Sequence, residues 1–288
     1  MANKSRFDIA ISKIKSFFKE SNKKAFTRTE LNTVLEGNRM NWRLPDYMNG
    51  EKFKDNLLSR EILIQKDVVF EGYIPNKTIF IVPGLTVFQF AAALINKSYF
   101  SHFTSVFAHG LTTQIPKVIY ISFEQSYKKV STGSLTQESI DMAFSKPQRM
   151  STTTTTFEEY TLLIHNSKFS GRTGIYNSSG NSITNIERTL IDIAVRPNYA
   201  GGVASVLDIY RNAINSISIN KLSAILTKLD FIYPYHQIIG FYLQRAGVDI
   251  QKLEVFKERG IEFKFYLTYD IEEKMFDDYW QVYYPKGI

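Results

Sequence analysis

The sequence predicts an α+β protein of two domains, in which a small N-terminal domain precedes a larger domain of mixed helices and strands. Its 288 residues exceed one average domain, since domains hold about 150 residues each. Hydrophobic residues make up 44% of the chain, which is enough to build packed cores. Pro83-Gly84 punctuates the chain after a run of helices and strands. We therefore expect domains at 1–84 and 85–288.

Three amphipathic helices are predicted at the start of the N-terminal domain. Apolar residues recur at helical spacing over residues 7–21, which gives the first helix. The second helix begins at Thr27–Glu30, which has the form of a capping box, and ends at Gly37. After a polar connection that extends to Met48, Asn49 caps the third helix.

The segments that follow these helices decide the motif. Ile62–Gln65, Val68–Phe70 and Thr78–Val82 are β-rich, and Tyr73–Lys77 makes a turn, so a hairpin is expected. Three helices followed by a hairpin is the order of a winged helix-turn-helix domain. In that fold a helix enters the major groove of double-stranded DNA, while the N-terminus of the preceding helix offers N–H groups to a phosphate. The sequence therefore predicts DNA binding, with a protein–protein module as the alternative.

Ten residues of this domain are candidate DNA contacts. On the third helix, Lys52, Lys54 and Asn56 are expected to read bases or flanking phosphates, and Arg28 and Thr29 are expected to clamp the backbone. The other candidates are Arg39, Arg43, Arg60, Lys66 and, at the tip of the wing, Lys77. Residues 1–80 hold 15 Lys and Arg against 10 Asp and Glu, which is +5 of the net +7. Such a concentrated positive charge attracts polyanions, although a basic excess also maintains solubility.

Composition excludes several other classes of protein. The chain contains no cysteine, which removes disulfides, thiolate metal ligands and thiol nucleophiles. No apolar leader follows the charged N-terminus, and the longest apolar stretch, Val87–Ile95, is too short to span a bilayer. We therefore expect a cytoplasmic protein with no membrane association.

Helices and strands alternate in the predicted C-terminal domain. A helix is expected from the capping pattern Thr184–Glu187 to about Val195, where Pro197 stops it. The polar region that includes Ser151–Thr156 predicts an exposed loop or strand edge. The remaining expected helices are Thr86–Asn96, Ser98–His109 and those within Gly202–Lys257, and the expected strands are Lys117–Phe123, Tyr160–His165 and Glu262–Tyr269, followed by the aromatic tail Tyr279–Tyr284.

Parts of this domain resemble the AbiEi family, the antitoxins of type IV toxin–antitoxin systems first known from abortive phage infection. The resemblance rests on Tyr99–Thr112, on Ile119–Ile121 and, most specifically, on Glu187–Val203, and it covers the chain to about Ala213. It implies a winged helix that binds inverted repeats in its own promoter as an autorepressor, and a C-terminal antitoxin domain. The implied functional partner is a nucleotidyltransferase-like toxin, with no stable complex required.

The residues of this block also have a structural interpretation. Arg188 and Asp192 stand four apart on the predicted helix, where they are expected to pair, and Gly201-Gly202 permits a tight turn. An inverted repeat needs two protein copies on the DNA. In solution, we expect a monomer or a weak dimer.

No catalytic or metal site is predicted, so the chain is interpreted as a protein that is not an enzyme and needs no cofactor. His102 and His109 are about 10.5 Å apart along one predicted helix, too far to share a metal ion, and no phosphate-binding loop motif occurs. Glu262 and Lys264 form an E-x-K triplet of the kind some metal-dependent nucleases carry on a strand. A DNA-targeted nuclease is therefore one alternative. A winged-helix regulator that senses a ligand in an aromatic pocket is another.

Overall fold

A computed structural model describes residues 5–127, 134–178 and 180–288 of the chain. Helices and mixed sheets make it an α+β protein, which confirms the predicted class. The chain forms two compact units. The first consists of Met1–Asn96 and Thr152–Leu162, and the second consists of Lys97–Ser151 and Leu163–Ile288.

The helices and strands are numbered in chain order. The helices are α1 (Arg6–Glu20), α2 (Arg28–Trp42), α3 (Gly50–Ser59), α4 (Val87–Leu94), α5 (His102–Ala108), α6 (Gln137–Phe144), α7 (Ile186–Val195), α8 (Val203–Ala213), α9 (Ile219–Leu229), α10 (Tyr235–Arg245) and α11 (Glu254–Lys257), with short 3-10 helices at Pro197–Ala200 and Ile250–Leu253. The strands are β1 (Ala25–Phe26), β2 (Ile64–Val68), β3 (Lys77–Ile81), β4 (Tyr99–Phe100), β5 (Val118–Glu124), β6 (Thr154–Phe157), β7 (Tyr160–Ser167), β8 (Ile175–Ser178), β9 (Asn181–Thr184), β10 (Phe265–Tyr266), β11 (Lys274–Asp277) and β12 (Val282–Pro285).

In the first unit, α1, α2 and α3 share one apolar core. Phe7, Phe18 and Phe53 are almost completely buried there. The Trp42 ring stacks on Phe53 with their centroids 5.7 Å apart. Strands β1, β3 and β2 form an antiparallel sheet in that order. This order of elements is compatible with the predicted winged helix.

Helix α2 is longer than the sequence predicts. It begins at the expected capping box, in which the Thr27 hydroxyl accepts from the N–H of Glu30 and the Glu30 carboxylate accepts from the N–H of Thr27. The predicted end at Gly37 is wrong, because the helix continues to Trp42. A helical glycine costs about 1 kcal/mol, and burial of the Trp42 ring offsets that cost. Arg43, with a φ of 51°, ends the helix.

The hairpin of β2 and β3 is held at its loop by a later segment of the chain. The N–H of Glu71 donates to the carbonyl of Thr154 at 2.9 Å, and the carbonyl of Glu71 accepts from the N–H of Thr154 at 3.2 Å. The predicted position of Lys77 at the tip is wrong, because Lys77 is the first residue of β3 and pairs with Val68. The loop itself is residues 69–76.

The first unit also extends beyond the expected boundary at Gly84. Helix α4 belongs to it and contacts β1. The ring of Phe90 in α4 stacks on Phe157 of β6 with centroids 3.9 Å apart. Packing of this aromatic pair ties both α4 and the later segment to the first unit.

Helix α7 is central to the second unit. Eight of its ten residues are buried, as in a helix that packs on several sides, and it contacts α5, α8, α9 and α10. Its N-cap is Asn185, whose side chain accepts from the N–H of Arg188, and not the predicted Thr184. The Thr184 hydroxyl is bonded instead to the hydroxyls of Ser105 and Thr189.

The sheets of the second unit differ from the prediction in several places. Strands β7, β5, β4, β9 and β8 lie in that order, and the β8–β9 hairpin was not predicted. Tyr99 and Phe100 pair with β5 instead of starting a helix, so α5 begins at His102. The predicted strand Glu262–Tyr269 is reduced to β10. The aromatic tail forms strand β12, which lies between β10 and β11.

Candidate functional site

The N-termini of α2 and α3 lie together in the first unit. Arg28, the first residue of α2, forms an ion pair with Glu51 in the first turn of α3. Lys54 pairs with the same carboxylate at 2.8 Å and with Asp55 at 3.3 Å. Two predicted DNA-contacting cations are therefore neutralised within the unit. Sequence reasoning missed Glu51, although an acidic residue in the first turn of a helix is a common and stabilising feature.

Four other candidates are exposed at the surface of the first unit. They are Thr29, Arg43, Lys52 and Lys66. In the described parts of the chain, no carboxylate lies within ion-pair distance of the three cations among them. The Lys52 ammonium lies 5.3 Å from the centre of the Tyr47 ring, which is also exposed. These cations have the accessibility that a polyanion contact requires.

Arg39 holds the connection between α2 and α3 in place. Its guanidinium donates to the carbonyls of Pro45 and Met48 at 2.9 and 3.0 Å, and it pairs with Glu36 on its own helix. The Arg39 side chain is only 16% exposed. The structure thus gives it a structural role, and its contact with DNA stays a prediction.

Arg60 and Asn56 are engaged in a similar way at the end of α3. The Arg60 guanidinium donates to the Asp8 carboxylate at 2.7 and 2.9 Å, and to the Asn56 amide oxygen at 2.7 Å. The amide nitrogen of Asn56 donates to the Lys52 carbonyl at 2.6 Å. Arg60 therefore ties α3 to α1, and the amide of Asn56 is occupied within the helix.

Lys77 lies against the hairpin instead of projecting from it. Its ammonium is 5.8 Å from the centre of the Phe70 ring, and desolvation by burial lowers the pKa of Lys77. A half-buried ammonium is less accessible to a DNA phosphate than the exposed side chain that was expected at the tip of the wing.

The E-x-K triplet does not have the geometry on which the nuclease alternative depends. Glu262 and Lys264 are exposed and lie outside strand β10, so regular strand alternation does not place them on one face. The backbone of Lys264 is bonded to the Gln137 amide. Across the described residues, no group of three His, Asp or Glu side chains has the arrangement of a metal site.

The second unit contains a cavity of about 450 Å³. It is lined by β-strand residues around His165, by the end of α7 and by the segment between α9 and α10. Three cationic side chains contribute to its wall: Lys168, Arg188 and Arg196. Sequence reasoning did not select this site, because its residues come from distant parts of the chain. Arg188 and Arg196 do, however, lie in the block that carries the family resemblance.

Two histidines of the cavity are joined by a chain of hydroxyl groups. The Ser101 hydroxyl bonds to Nδ1 of His102 at 2.8 Å and to the Ser122 hydroxyl at 2.7 Å, and Ser122 bonds to Nδ1 of His165 at 3.3 Å. Burial lowers the pKa of His165 to about 3, and that of His102 well below its ordinary value. Both imidazoles are therefore neutral at physiological pH.

Arg188 and Asp192 form the ion pair expected from their spacing. Arg188 Nε donates to Asp192 Oδ1 at 2.7 Å, and both side chains are about nine-tenths buried. Desolvation raises the pKa of Asp192, and the charge of Arg188 opposes that rise. The Arg188 guanidinium also donates to the Thr173 carbonyl at 2.7 Å. The bond to Thr173 ties α7 to the segment before β8.

Similarity to known proteins is confined to the fold. The sequence matches no protein-family model and no curated protein. The chain is similar to the crystal structure of the RV2827C protein from Mycobacterium tuberculosis, with a TM-score of 0.57 and 12% sequence identity over 96% of this chain and 91% of that one. At this identity the similarity concerns the fold alone. In the described residues, no helix is long and apolar enough to cross a membrane.

Proposed function

We propose that the chain is a DNA-binding antitoxin of a type IV toxin–antitoxin system, and that its N-terminal unit is a winged helix that represses its own operon. The observation that carries the DNA-binding part is the exposed Lys52 on α3, with Arg43 exposed at the end of α2. The resemblance of Glu187–Val203 to the AbiEi antitoxins supports the antitoxin part.

The proposed contacts follow from helix size and charge. An α-helix fits the major groove, and each phosphate that a cation neutralises releases condensed counterions. Arg43 and Lys52 would contact phosphates at the groove that α3 enters, and Lys66 would contact the flanking backbone. Arg28 and Lys54 would join them when a phosphate displaces Glu51, the carboxylate that pairs with both.

The biological setting of the proposal follows from the same resemblance. Each half of an inverted repeat takes one copy of the chain, and repression places the protein in the cytoplasm. The partner is a nucleotidyltransferase-like toxin, which the second unit counteracts without a stable complex.

Removal of Arg43 and Lys52 tests the proposed contacts. In the full chain, Arg43→Ala with Lys52→Ala is expected to weaken binding to a duplex taken from upstream of its own reading frame. The slope of log K against log salt should decrease by about 1.8, at about 0.9 for each phosphate contact. The matched control, Lys146→Ala with Lys252→Ala, removes the same charge from exposed positions of the second unit. Equal losses in the two double variants would contradict the assignment.

A substitution at Glu51 is expected to act in the opposite direction. Glu51→Gln removes the carboxylate that pairs with Arg28 and Lys54. Arg28 then becomes available to phosphates, and Lys54 keeps only its longer contact with Asp55. Fluorescence anisotropy should then show tighter binding and a steeper salt dependence. Weaker binding by this variant would mean that the N-termini of α2 and α3 do not face DNA.

The antitoxin role is tested separately from DNA binding. We expect the Arg43→Ala, Lys52→Ala variant to lose repression of a reporter under its own promoter, yet to protect cells that express the partner toxin. Loss of both properties in a variant that remains folded would contradict a division of labour between the two units.

A further inference from the structure

The cavity of the second unit has the size of a small-molecule site. Its volume of about 450 Å³ lies within the range of about 300–1,000 Å³ that is typical of ligand pockets. The proposed DNA contacts lie in the first unit, so this cavity has no part in them. A ligand of this cavity would therefore bind at a site distinct from the proposed DNA contacts.

Among the described residues, two of the cations at the cavity form no ion pair with a carboxylate. Arg188 is paired with Asp192, but Arg196 donates to the Arg149 carbonyl at 2.9 Å and, among the described residues, lies within ion-pair distance of no carboxylate. Lys168 donates to two backbone carbonyls, those of Leu229 and Asp230. An anion in the cavity would be stabilised by both charges, because a partly buried site weakens solvent screening.

Arg196, a lining residue of the cavity, also acts electrostatically on other lining groups. Its positive charge contributes to the lowered pKa of His102 and of His165, and it opposes the rise in the pKa of Asp192 that burial causes. The same charge acts on Tyr235 and Tyr269. The guanidinium is thus electrostatically coupled to groups around the cavity wall.

The wall also offers aromatic surface and neutral hydrogen-bonding groups. Tyr233, Tyr235 and Tyr269 are among its lining residues, and aromatic side chains offer apolar surface to planar ligands. Nδ1 of each of the two lining histidines, His102 and His165, is bonded to a serine hydroxyl. This combination favours a ligand with an anionic end and a ring.

We propose that this cavity binds a small molecule that carries both a phosphate or carboxylate group and a planar ring. Arg196 and Lys168 pair with the anionic group, and the tyrosines contact the ring. Mononucleotides and aromatic carboxylates share this chemistry, and the experiment distinguishes between them.

Calorimetric titration of the full chain provides the test. The probes are adenosine and guanosine monophosphate, benzoate and indole-3-carboxylate, and inorganic phosphate. Saturable one-to-one binding of either ring-bearing group, at least tenfold tighter than inorganic phosphate, supports the proposal and identifies the anionic group. Absence of saturable binding by all ring-bearing probes at millimolar concentration overturns it. Equal affinity for inorganic phosphate overturns it as well.

Two variants locate the binding. Arg196→Gln and Lys168→Met are each expected to weaken binding of the successful probe at least tenfold, whereas Lys252→Met at an exposed position should leave it unchanged. Lys168 is itself exposed, so its replacement tests the cavity even where Arg196→Gln disturbs folding. Unchanged affinity in Lys168→Met would overturn the assignment to this cavity, and so would unchanged affinity in a folded Arg196→Gln.

Discussion

Replacement of Arg39 separates a structural cation from one that contacts DNA. The guanidinium of Arg39 donates to the carbonyls of Pro45 and Met48 at 2.9 and 3.0 Å. A hydrogen bond to a charged group contributes about 1.5–3 kcal/mol, and a buried acceptor left unsatisfied costs a similar amount. Arg39→Ala loses two such bonds, and Pro45 is partly accessible to water. We therefore expect the free energy of unfolding of the first unit to fall by about 3 kcal/mol.

The two tryptophans of the chain allow this loss of stability in the first unit to be measured by fluorescence. Trp42 lies in the core of the first unit and Trp280 in that of the second. In a Trp280→Phe background, fluorescence during denaturant unfolding reports the first unit alone. The control Arg43→Ala, at an exposed position, should change stability by less than about 0.5 kcal/mol. An unchanged unfolding midpoint for Arg39→Ala would refute the structural role inferred from its hydrogen bonds.

Two glycines and one histidine give further measurable outcomes. A Cβ at Gly240 would lie 2.3 Å from the Trp280 ring, so Gly240→Ala should destabilise the protein by about 1–3 kcal/mol in thermal unfolding. Gly37→Ala meets nothing within 4 Å and should stabilise α2 by about 0.5–1 kcal/mol; destabilisation would contradict a helix through Gly37. Since the pKa of His165 is about 3 in the fold and ordinarily 6.5, only the unfolded state binds this proton between those values. As the pH decreases from 6.5, this group should therefore lower the free energy of unfolding by about 1.4 kcal/mol per pH unit. If the free energy of unfolding of a His165→Asn variant had the same slope between pH 6 and 4, that would argue against a buried neutral imidazole.

Local signals predicted the beginnings of α2 and α3 correctly, but not the end of α2. The capping box at Thr27 and the N-cap at Asn49 are both present as expected, because a cap depends on a few neighbouring residues. The end of α2 at Trp42 was missed, since it is decided by the contact of that ring with Phe53, eleven positions further along the chain. Gly37 gave a local signal for a helix end, and tertiary packing overrode it.

The candidate DNA-contacting residues were predicted only in part, for a related reason. Sequence spacing placed Lys52 on the outward face of the third helix, and Arg43 was a candidate from the polar connection before it; both are exposed. It did not distinguish them from Arg39 and Arg60, whose partners are brought close only by folding. The same limit applies to the cavity, where Lys168 and residues of other elements meet across the second unit.

The return of the chain to the first unit at Thr152–Leu162 has a consequence for its synthesis. Domains fold during translation as their sequence leaves the ribosome, but the segment that stacks Phe157 on Phe90 and closes the hairpin loop at Glu71 is made only after β4, β5 and α6. Until that segment is made, the nascent chain exposes one face of Phe90, and the loop of the β2–β3 hairpin lacks its partner. The N-terminal unit is thus completed late, and a fragment that stops at Gly84 or Asn96 lacks the piece that finishes it.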